Sequence, residues 1–375
     1  MSSSRLWTSS SPSYYWNATI ISLLLAGLSL AVATAMVLKH NDNNPPSNRP
    51  RQGGRQGEEN ESIEQQQCHG KSLRFACLGN SIQYYNDCPR LLEHLCRLAG
   101  YDVTQDSCLR GGATMASLWK KGNGMKDKFI LGPAMRALKH DFGALTVKDL
   151  LTAQSQWDYV IINDHTQWPA RENSREESLV VLKEHYVPLL KQCQAVPIFI
   201  MTAGYRVPDI RETDDLGDFD HYTQLLKEGN AIYKEKMDSW LLLPNDKQTR
   251  IAPVGLAYAL VYHSDRELWY RLYDPDNFHP SPLGTLLQTF VLYITMTGEA
   301  PPSDYQENWW DRARRMQPPD ENPMPLPSTK EVSTLRRIAM EICYQVGLTT
   351  VTLPSNEEAE KMRQVAMQVC GIHEQ

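Results

Sequence analysis

The sequence predicts an α/β protein of three layers, with helices covering both faces of a parallel five-stranded sheet. Three observations predict it. Short apolar runs such as Leu73 to Leu78 (LRFACL) and Val196 to Thr202 (VPIFIMT) have strand length and no polar alternation, the pattern of strands buried on both faces. Segments with apolar residues at helical spacing separate them, so each strand feeds a crossover and its neighbour runs parallel. Small and polar residues follow the strands, where a parallel sheet opens its ligand crevice.

The chain has 375 residues, 41% hydrophobic and 22% charged, with 38 Lys+Arg against 44 Asp+Glu and a formal charge of −6. A mildly acidic total excludes a general nucleic-acid binder, which needs basic surface to displace counterions from phosphates. The mean hydropathy of −0.46 hides one apolar stretch. Ala18 to Leu38 (ATIISLLLAGLSLAVATAMVL) runs 21 residues without a charge, enough to span about 30 Å of hydrocarbon as a helix. Residues 1–40 are therefore expected to form a tail and a single-pass membrane anchor. The competing reading is a cleaved signal peptide and a secreted body, with Ala31-Val32-Ala33 and Ala33-Thr34-Ala35 as small-x-small sites. Lys39, Arg49, Arg51 and Arg55 after the span argue for a cytoplasmic body. The sequons Asn17-Ala18-Thr19 and Asn60-Glu61-Ser62 argue for a lumenal or extracellular one, which is the expectation.

Residues 41–67 are polar or Gly/Pro apart from Ile63, too poor in apolar surface to offset ordering, and predict a stalk. The folded body is expected over 68–302. Its first strand, Leu73 to Leu78, precedes a helix over Pro89 to Ala99, with Leu91, Leu92, Leu95 and Leu98 on one face and Gly100 as a stop. Tyr101 to Leu109 reads as a second strand, Trp157 to Ile162 as a third, and Glu176 to Gln192 as a helix. The fourth strand is Val196 to Thr202, followed by a long helix over His221 to Leu242 and a fifth strand over Arg250 to Val254. Residues 303–375 predict a helical extension packed on the sheet edge. It holds a short helix over Asn308 to Arg315, a Pro-rich stretch, and amphipathic patterns over Thr329 to Val346 and Asn356 to Cys370.

The eight cysteines show no CxxC pair and no Cys/His cluster at zinc spacing, so neither a metal nor a cofactor is expected. Cys77, inside a strand, reads as a buried thiol, and Cys343 and Cys370 lie on two helical patterns that would allow a disulfide. The segment Arg206 to Asp220 (RVPDIRETDDLGDFD) has no EF-hand spacing and reads as a solvated loop bordering the pocket, long enough for a lid.

Candidate chemistry falls at strand ends: Gly79-Asn80-Ser81 after the first, Arg110-Gly111-Gly112 after the second, Asn163-Asp164-His165 after the third, then Asp276-Asn277-Phe278-His279-Pro280. One mechanism uses all four groups. A serine on a tight strand-to-helix turn needs a base, and His279 fits, with Asp276 three residues earlier to fix its tautomer. The developing oxyanion needs preorganised donors, which the Ser81 and Gly112 N–H groups and the Asn163 amide supply. Asp164 and His165 form a rival orienter and base, weakened because neighbours on an extended segment point opposite ways. Tyr84, Tyr85, Trp119 and Trp168 lie near the motifs and read either as a wall for a sugar or acyl chain or as core aromatics.

Gly79-Asn80-Ser81, Gly112, Asn163-Asp164 and Asp276-x-x-His279-Pro280, in this order, resemble the blocks of the SGNH (GDSL-type) esterase and lipase superfamily. The similarity covers Leu73 to Pro302, including the closing run HPSPLGTLLQTFVLYITMTGEAPP. It implies a flavodoxin-like sheet, Ser81 as nucleophile, Asp276 and His279 as the rest of the triad, and Ser81, Gly112 and Asn163 as the oxyanion hole. Two positions depart from the pattern: Asn80 stands where the motif has Asp, and Ile161 where the third block has Gly. The expected activity is hydrolysis of a carboxylic ester through an acyl-Ser81 intermediate, with an O-acetyl group on a glycan as the preferred substrate. The alternatives are glycan O-acyl transfer with the same triad, or an inactive module of this fold that binds carbohydrate or protein.

Overall fold

The computed structural model describes residues 71–125, 144–153, 156–206, 214–303, 325–353 and 356–372. The expected anchor at 18–38, the stalk at 41–67 and the helix over Asn308 to Arg315 lie outside these residues. Among the described residues no helix is long and apolar enough to cross a membrane.

The strands β1 (Ser72–Gly79), β2 (Asp102–Leu109), β3 (Tyr159–Ile162), β4 (Val196–Ile200) and β5 (Arg250–Ala252) form one parallel sheet in the order β2-β1-β3-β4-β5. Cys77 stands opposite Ser107 on one side and Ile161 on the other, and Ile161 stands opposite Ile198. Successive side chains face opposite ways, and both faces here are apolar. Phe75, Cys77, Ile161 and Ile198 enter one core cluster, while Ala76, Leu78, Val160, Ile162 and Phe199 enter the other. That is why the strands read as unbroken apolar runs. β2 is an edge strand and carries Thr104, Gln105 and Asp106 at exposed or half-buried positions.

After β1 come α1 (Ser81–Tyr84), a 3-10 turn (Tyr85–Asp87) and α2 (Cys88–Leu98), whose Leu91, Leu92 and Leu95 are fully buried. Pro89 sits in the first turn of α2, where its missing N–H costs nothing. α3 (Met115–Lys121) and α4 (Val147–Ala153) have no counterpart in the sequence reading, because seven residues are too few for helical periodicity to stand out. The helix expected over Glu176 to Gln192 is α5 (Glu172–Val181), a π-turn (Leu182–Tyr186) and α6 (Val187–Cys193). The break falls beside Pro188, which cannot join a regular i−4 ladder.

α7 (Phe219–Leu241) matches the long helix expected, with Asp218 accepting from the His221 N–H as its cap. β5 ends at Ala252, short of the expected Val254, because Pro253 cannot donate to a ladder. α8 (Val254–Ser264) follows at once and then α9 (Arg266–Arg271). α8 is buried from Val254 to Val261 and offers no polar stripe by which to recognise it. The last helices are α10 (Pro282–Thr297), α11 (Thr329–Gln345) and α12 (Glu357–Cys370).

The C-terminal extension differs from its expected position. α11 packs on α10 and α8, and α12 packs on α8 and α11. Leu335, Ile338, Ile342 and Ala366 join the same core cluster as Phe75 and Cys77. The reason lies in α10, which is buried at every residue from Pro282 to Met296. A helix so largely apolar needs cover on its outer face as well. The seven described cysteines, Cys343 and Cys370 among them, are buried free thiols.

Candidate active site

The sheet order reverses direction between β1 and β3, and in such a sheet the crevice opens at that point beyond the strand ends. Gly79, Asn80 and Ser81 leave β1 there, and Asn163 leaves β3 beside them. The Asn163 N–H bonds the Leu78 carbonyl at 3.0 Å and the Arg110 N–H bonds the Gly79 carbonyl at 3.0 Å, tying three strand ends together. Gly79 is required by close approach, since a Cβ on it would fall 1.9 Å from Asn163 Oδ1.

Asn80 caps α1, its Oδ1 accepting from the Ile82 N–H at 3.2 Å, so that Ser81 opens the helix. The same amide Nδ2 donates to the Ala113 carbonyl at 2.9 Å and the Asp164 carbonyl at 3.1 Å. Its Oδ1 also accepts from Asn163 Nδ2 at 2.7 Å. An amide satisfies all of these partners, whereas the carboxylate usual in the motif would face two carbonyl oxygens. Asn80 is thus accommodated by its surroundings. Ile161, the other departure, is fully buried in the core cluster with Cys77 and Ile198, so its bulk is taken up by the core and not by the site.

Asn163 is completely buried. Its Nδ2 donates to Asn80 Oδ1 and, at 3.1 Å, to the Asp164 carbonyl, while Gln83 Nε2 donates to its Oδ1 at 2.7 Å. Gly112 is exposed at φ +63°, with nothing within 4 Å of where a Cβ would sit. A positive φ of this kind suits glycine. The Tyr84 hydroxyl lies against the preceding glycine, 2.9 Å from where a Cβ on Gly111 would fall. Burial raises the Tyr84 phenol pKa, opposed by a hydrogen bond with the Ser81 side chain.

His279 Nδ1 meets Asp276 Oδ2 at 2.5 Å, and the main-chain N–H groups of Phe278 and His279 donate to Asp276 Oδ1 at 3.2 and 3.0 Å. Burial pushes the Asp276 carboxyl up, but the bonds from the His279 ring and these N–H groups outweigh it and hold the pKa below the ordinary value. The loop is fixed from several sides. Asn277 takes φ +71°, its Oδ1 accepts from Arg206 Nε at 2.6 Å, and Tyr273 and Pro280 form an antiparallel bridge.

The turn carrying Ser81 also holds the segment carrying His279. The Tyr85 ring lies parallel to the His279 ring, 3.8 Å between centroids and 8° between planes. Asn86 Nδ2 donates to the Pro280 carbonyl and to Thr285 Oγ1, both at 3.0 Å. Gln288 Nε2 on α10 donates to the Ile82 carbonyl at 3.1 Å. Ser81 and His279 are each 8% exposed, sheltered but reachable.

The rival pair has another use. Asp164 accepts from the Met115 N–H at 3.1 Å, the His165 N–H at 2.8 Å, Ser178 Oγ at 2.5 Å and Tyr233 Oη at 2.8 Å. It bonds the main chain of His165 and ties together α3, α5 and α7. Burial raises its pKa against those four donors. Of the aromatic residues near the motifs, Tyr84 and Tyr85 stand at the site, Trp119 stacks on His185, and Trp168 sits edge-on to His165. In the acidic segment Asp215 pairs with Arg171, Asp218 caps α7 and Asp220 meets His263. Among the described residues no three His, Cys, Asp or Glu side chains converge to hold a metal. The sequence reading missed Gln83, Asn86, Arg206 and Gln288, which act through partners distant in sequence. Only Asn86, in a polar turn just after the motif, carried any local signal.

In strand order, and in the motif residues that leave its strand ends, the chain resembles the SGNH hydrolases. No family model matches the chain, and no curated protein matches it. Among solved structures it is similar to a candidate SGNH hydrolase from Slackia heliotrinireducens, at 26% identity and a TM-score of 0.40 over 60% of this chain and 100% of that one. It is also similar to a DUF4886 family protein from Bacteroides uniformis, at 14% identity and a TM-score of 0.49 over 75% of this chain and 98% of that one. A third similar structure is a gut microbial diltiazem-metabolizing enzyme, at 14% identity and a TM-score of 0.37 over 60% of this chain and 46% of that one.

Proposed function

We propose that the protein is a serine esterase that cleaves a carboxylic ester through an acyl-Ser81 intermediate, with an O-acetylated glycan as the substrate class. The observation that carries the reading is the pairing of His279 Nδ1 with Asp276 Oδ2 at 2.5 Å on a segment gripped by the turn that begins at Ser81. In this reading His279 Nε2 takes the Ser81 hydroxyl proton as Oγ attacks the ester carbonyl carbon. Asp276, held ionised by its hydrogen bonds, keeps the imidazole in the right tautomer and faces the charge it acquires. The N–H groups of Ser81 and Gly112 stabilise the oxyanion. Asn163 joins them by exchanging its 3.1 Å bond to the Asp164 carbonyl, which keeps the Asn80 amide as a donor. His279 then protonates the leaving alkoxide, and a water deprotonated by the same imidazole releases the acid and restores Ser81.

Tyr84 and Tyr85 beside the nucleophile supply flat faces suited to a sugar ring or a short acyl group. The partners of Asn80 and the burial of Ile161 in the core support the active reading over an inactive one. The apolar span at 18–38 and the stalk at 41–67 would tether this body to a membrane from its lumenal or extracellular side.

The test is turnover of p-nitrophenyl acetate by the full chain together with labelling by a fluorophosphonate probe. Wild type releases nitrophenol and is labelled, and Ser81→Ala loses the label and at least about 10³-fold in kcat. Undiminished turnover in Ser81→Ala, or a folded wild type that takes no label, would sink the reading.

A further inference from the structure

The Tyr85 ring lies 3.8 Å from the His279 ring at an interplanar angle of 8°, nearer than the roughly 4.5–7 Å usual for aromatic pairs. Tyr84 in turn stacks with Tyr85, 5.7 Å between centroids. The backbone that follows is bent to achieve this. Asn86 and Asp87 take φ +50° and +53° in succession, a left-handed conformation that is strained for a non-glycine residue. Such an outlier points to something the surroundings impose. Asn86 is locked in it by its bonds to Pro280 and Thr285, and the Tyr85 carbonyl takes a longer 3.5 Å bond from the same Thr285 hydroxyl. The chain thus spends conformational strain to lay one aromatic face on the imidazole and clamp both to α10.

We propose that Tyr85 is a positioning residue for the esterase reaction, fixing the plane of His279 and stabilising the imidazolium through its ring face. The inference rests on the reading of His279 as the base. As the base, the imidazole gains the Ser81 proton and with it a positive charge in the transition state. A cation within about 6 Å of a ring face is attracted by its quadrupole, the more so when sheltered from water. The attraction therefore grows as the reaction proceeds, which lowers the barrier without tightening substrate binding. Asp276 holds the edge of the ring and Tyr85 lies parallel to its face, beside the tilted Phe278 ring at the same 3.8 Å between centroids, so the plane of the imidazole is fixed.

The experiment follows p-nitrophenyl acetate hydrolysis by the full chain with Tyr85→Leu, Tyr85→Phe and a series at position 85 in which the phenylalanine ring carries one, two or three fluorines. Tyr85→Leu is expected to lose about 3- to 30-fold in kcat with little change in KM, and Tyr85→Phe to recover most of that loss. Fluorination leaves the ring nearly the same size while draining its face of charge, so log kcat should fall stepwise along the series at constant melting temperature. A flat fluorine series, or Tyr85→Leu at the wild-type rate, overturns the inference. His279→Ala separates the two layers: an inactive His279→Ala beside a flat series removes only the role of Tyr85, whereas an active one removes the esterase reading too.

Discussion

At Asn80 the choice between an amide and a carboxylate decides how the turn carrying Ser81 is held. The Asn80 Nδ2 spans the Ala113 and Asp164 carbonyls, so Asn80→Asp leaves both oxygens without that donor and facing negative charge. The expected loss is about 1–3 kcal/mol at neutral pH. The folded state then favours the protonated acid, and the new carboxyl has a folded pKa above its unfolded value of about 3.9. The sign follows. The variant stands closest to wild type below about pH 4 and falls behind as pH rises through the folded pKa. Urea unfolding of both proteins at pH 4 and pH 7 checks this, and an equal difference at the two values counts against it. Asn80, Ser81, Gly112, Asp276 and His279 were all legible as residues, because the chemistry restricts their types and their order. What each one touches was not legible, since Asn80 meets partners 33 and 84 positions away.

Among the elements, α7 shows how a helix can position a site it does not enter. Its Tyr233 reaches the Asp164 carboxylate, and its Gly229 lies against the loop after β3, where a Cβ would fall 1.8 Å from the Pro169 carbonyl oxygen. Gly229→Ala sets two effects in opposition. Alanine gains about 1 kcal/mol of helix propensity, while a backbone clash of this depth forces a shift costing about 1–3 kcal/mol. The clash wins where the neighbour is main chain on a packed loop. Gly229→Ala should therefore lower the denaturation midpoint, and a rise would show that the loop yields freely. The sequence announced α2 through its apolar spacing and the stop at Gly100, and α7 as a long helical pattern. It concealed α3 and α4 by their shortness and α8 by its apolarity, since amphipathic contrast exists only where one face meets water.

Over the whole molecule, the expected boundary at residue 302 divides a single core. Leu335, Ile338 and Ile342 of α11 lie in the cluster that contains Phe290 and Phe75. Arg271 and Glu331 form an ion pair, and Lys227 Nζ reaches the Cys370 carbonyl at 2.7 Å. A chain ending at residue 302 uncovers α10 and exposes a contiguous apolar face. It should bind 1-anilinonaphthalene-8-sulfonate strongly and lose its cooperative thermal transition, as followed by circular dichroism. A cooperative transition like that of the full chain would restore the boundary at 302.

The sequence by itself determined the α/β class, five strands in their correct places, and the residue types at the strand ends on which the proposed acyl transfer would rest. These follow from local properties: strand-length apolar runs, helical spacing and the residue types a reaction requires. Only the tertiary structure decided that Asn80 is suited to its place, that Asp164 is a structural anchor, that Tyr85 lies on His279, and that the C-terminal helices complete the core. Each of these depends on contacts between residues far apart in the chain, and the partner of a buried polar group or an apolar face is chosen by packing in three dimensions.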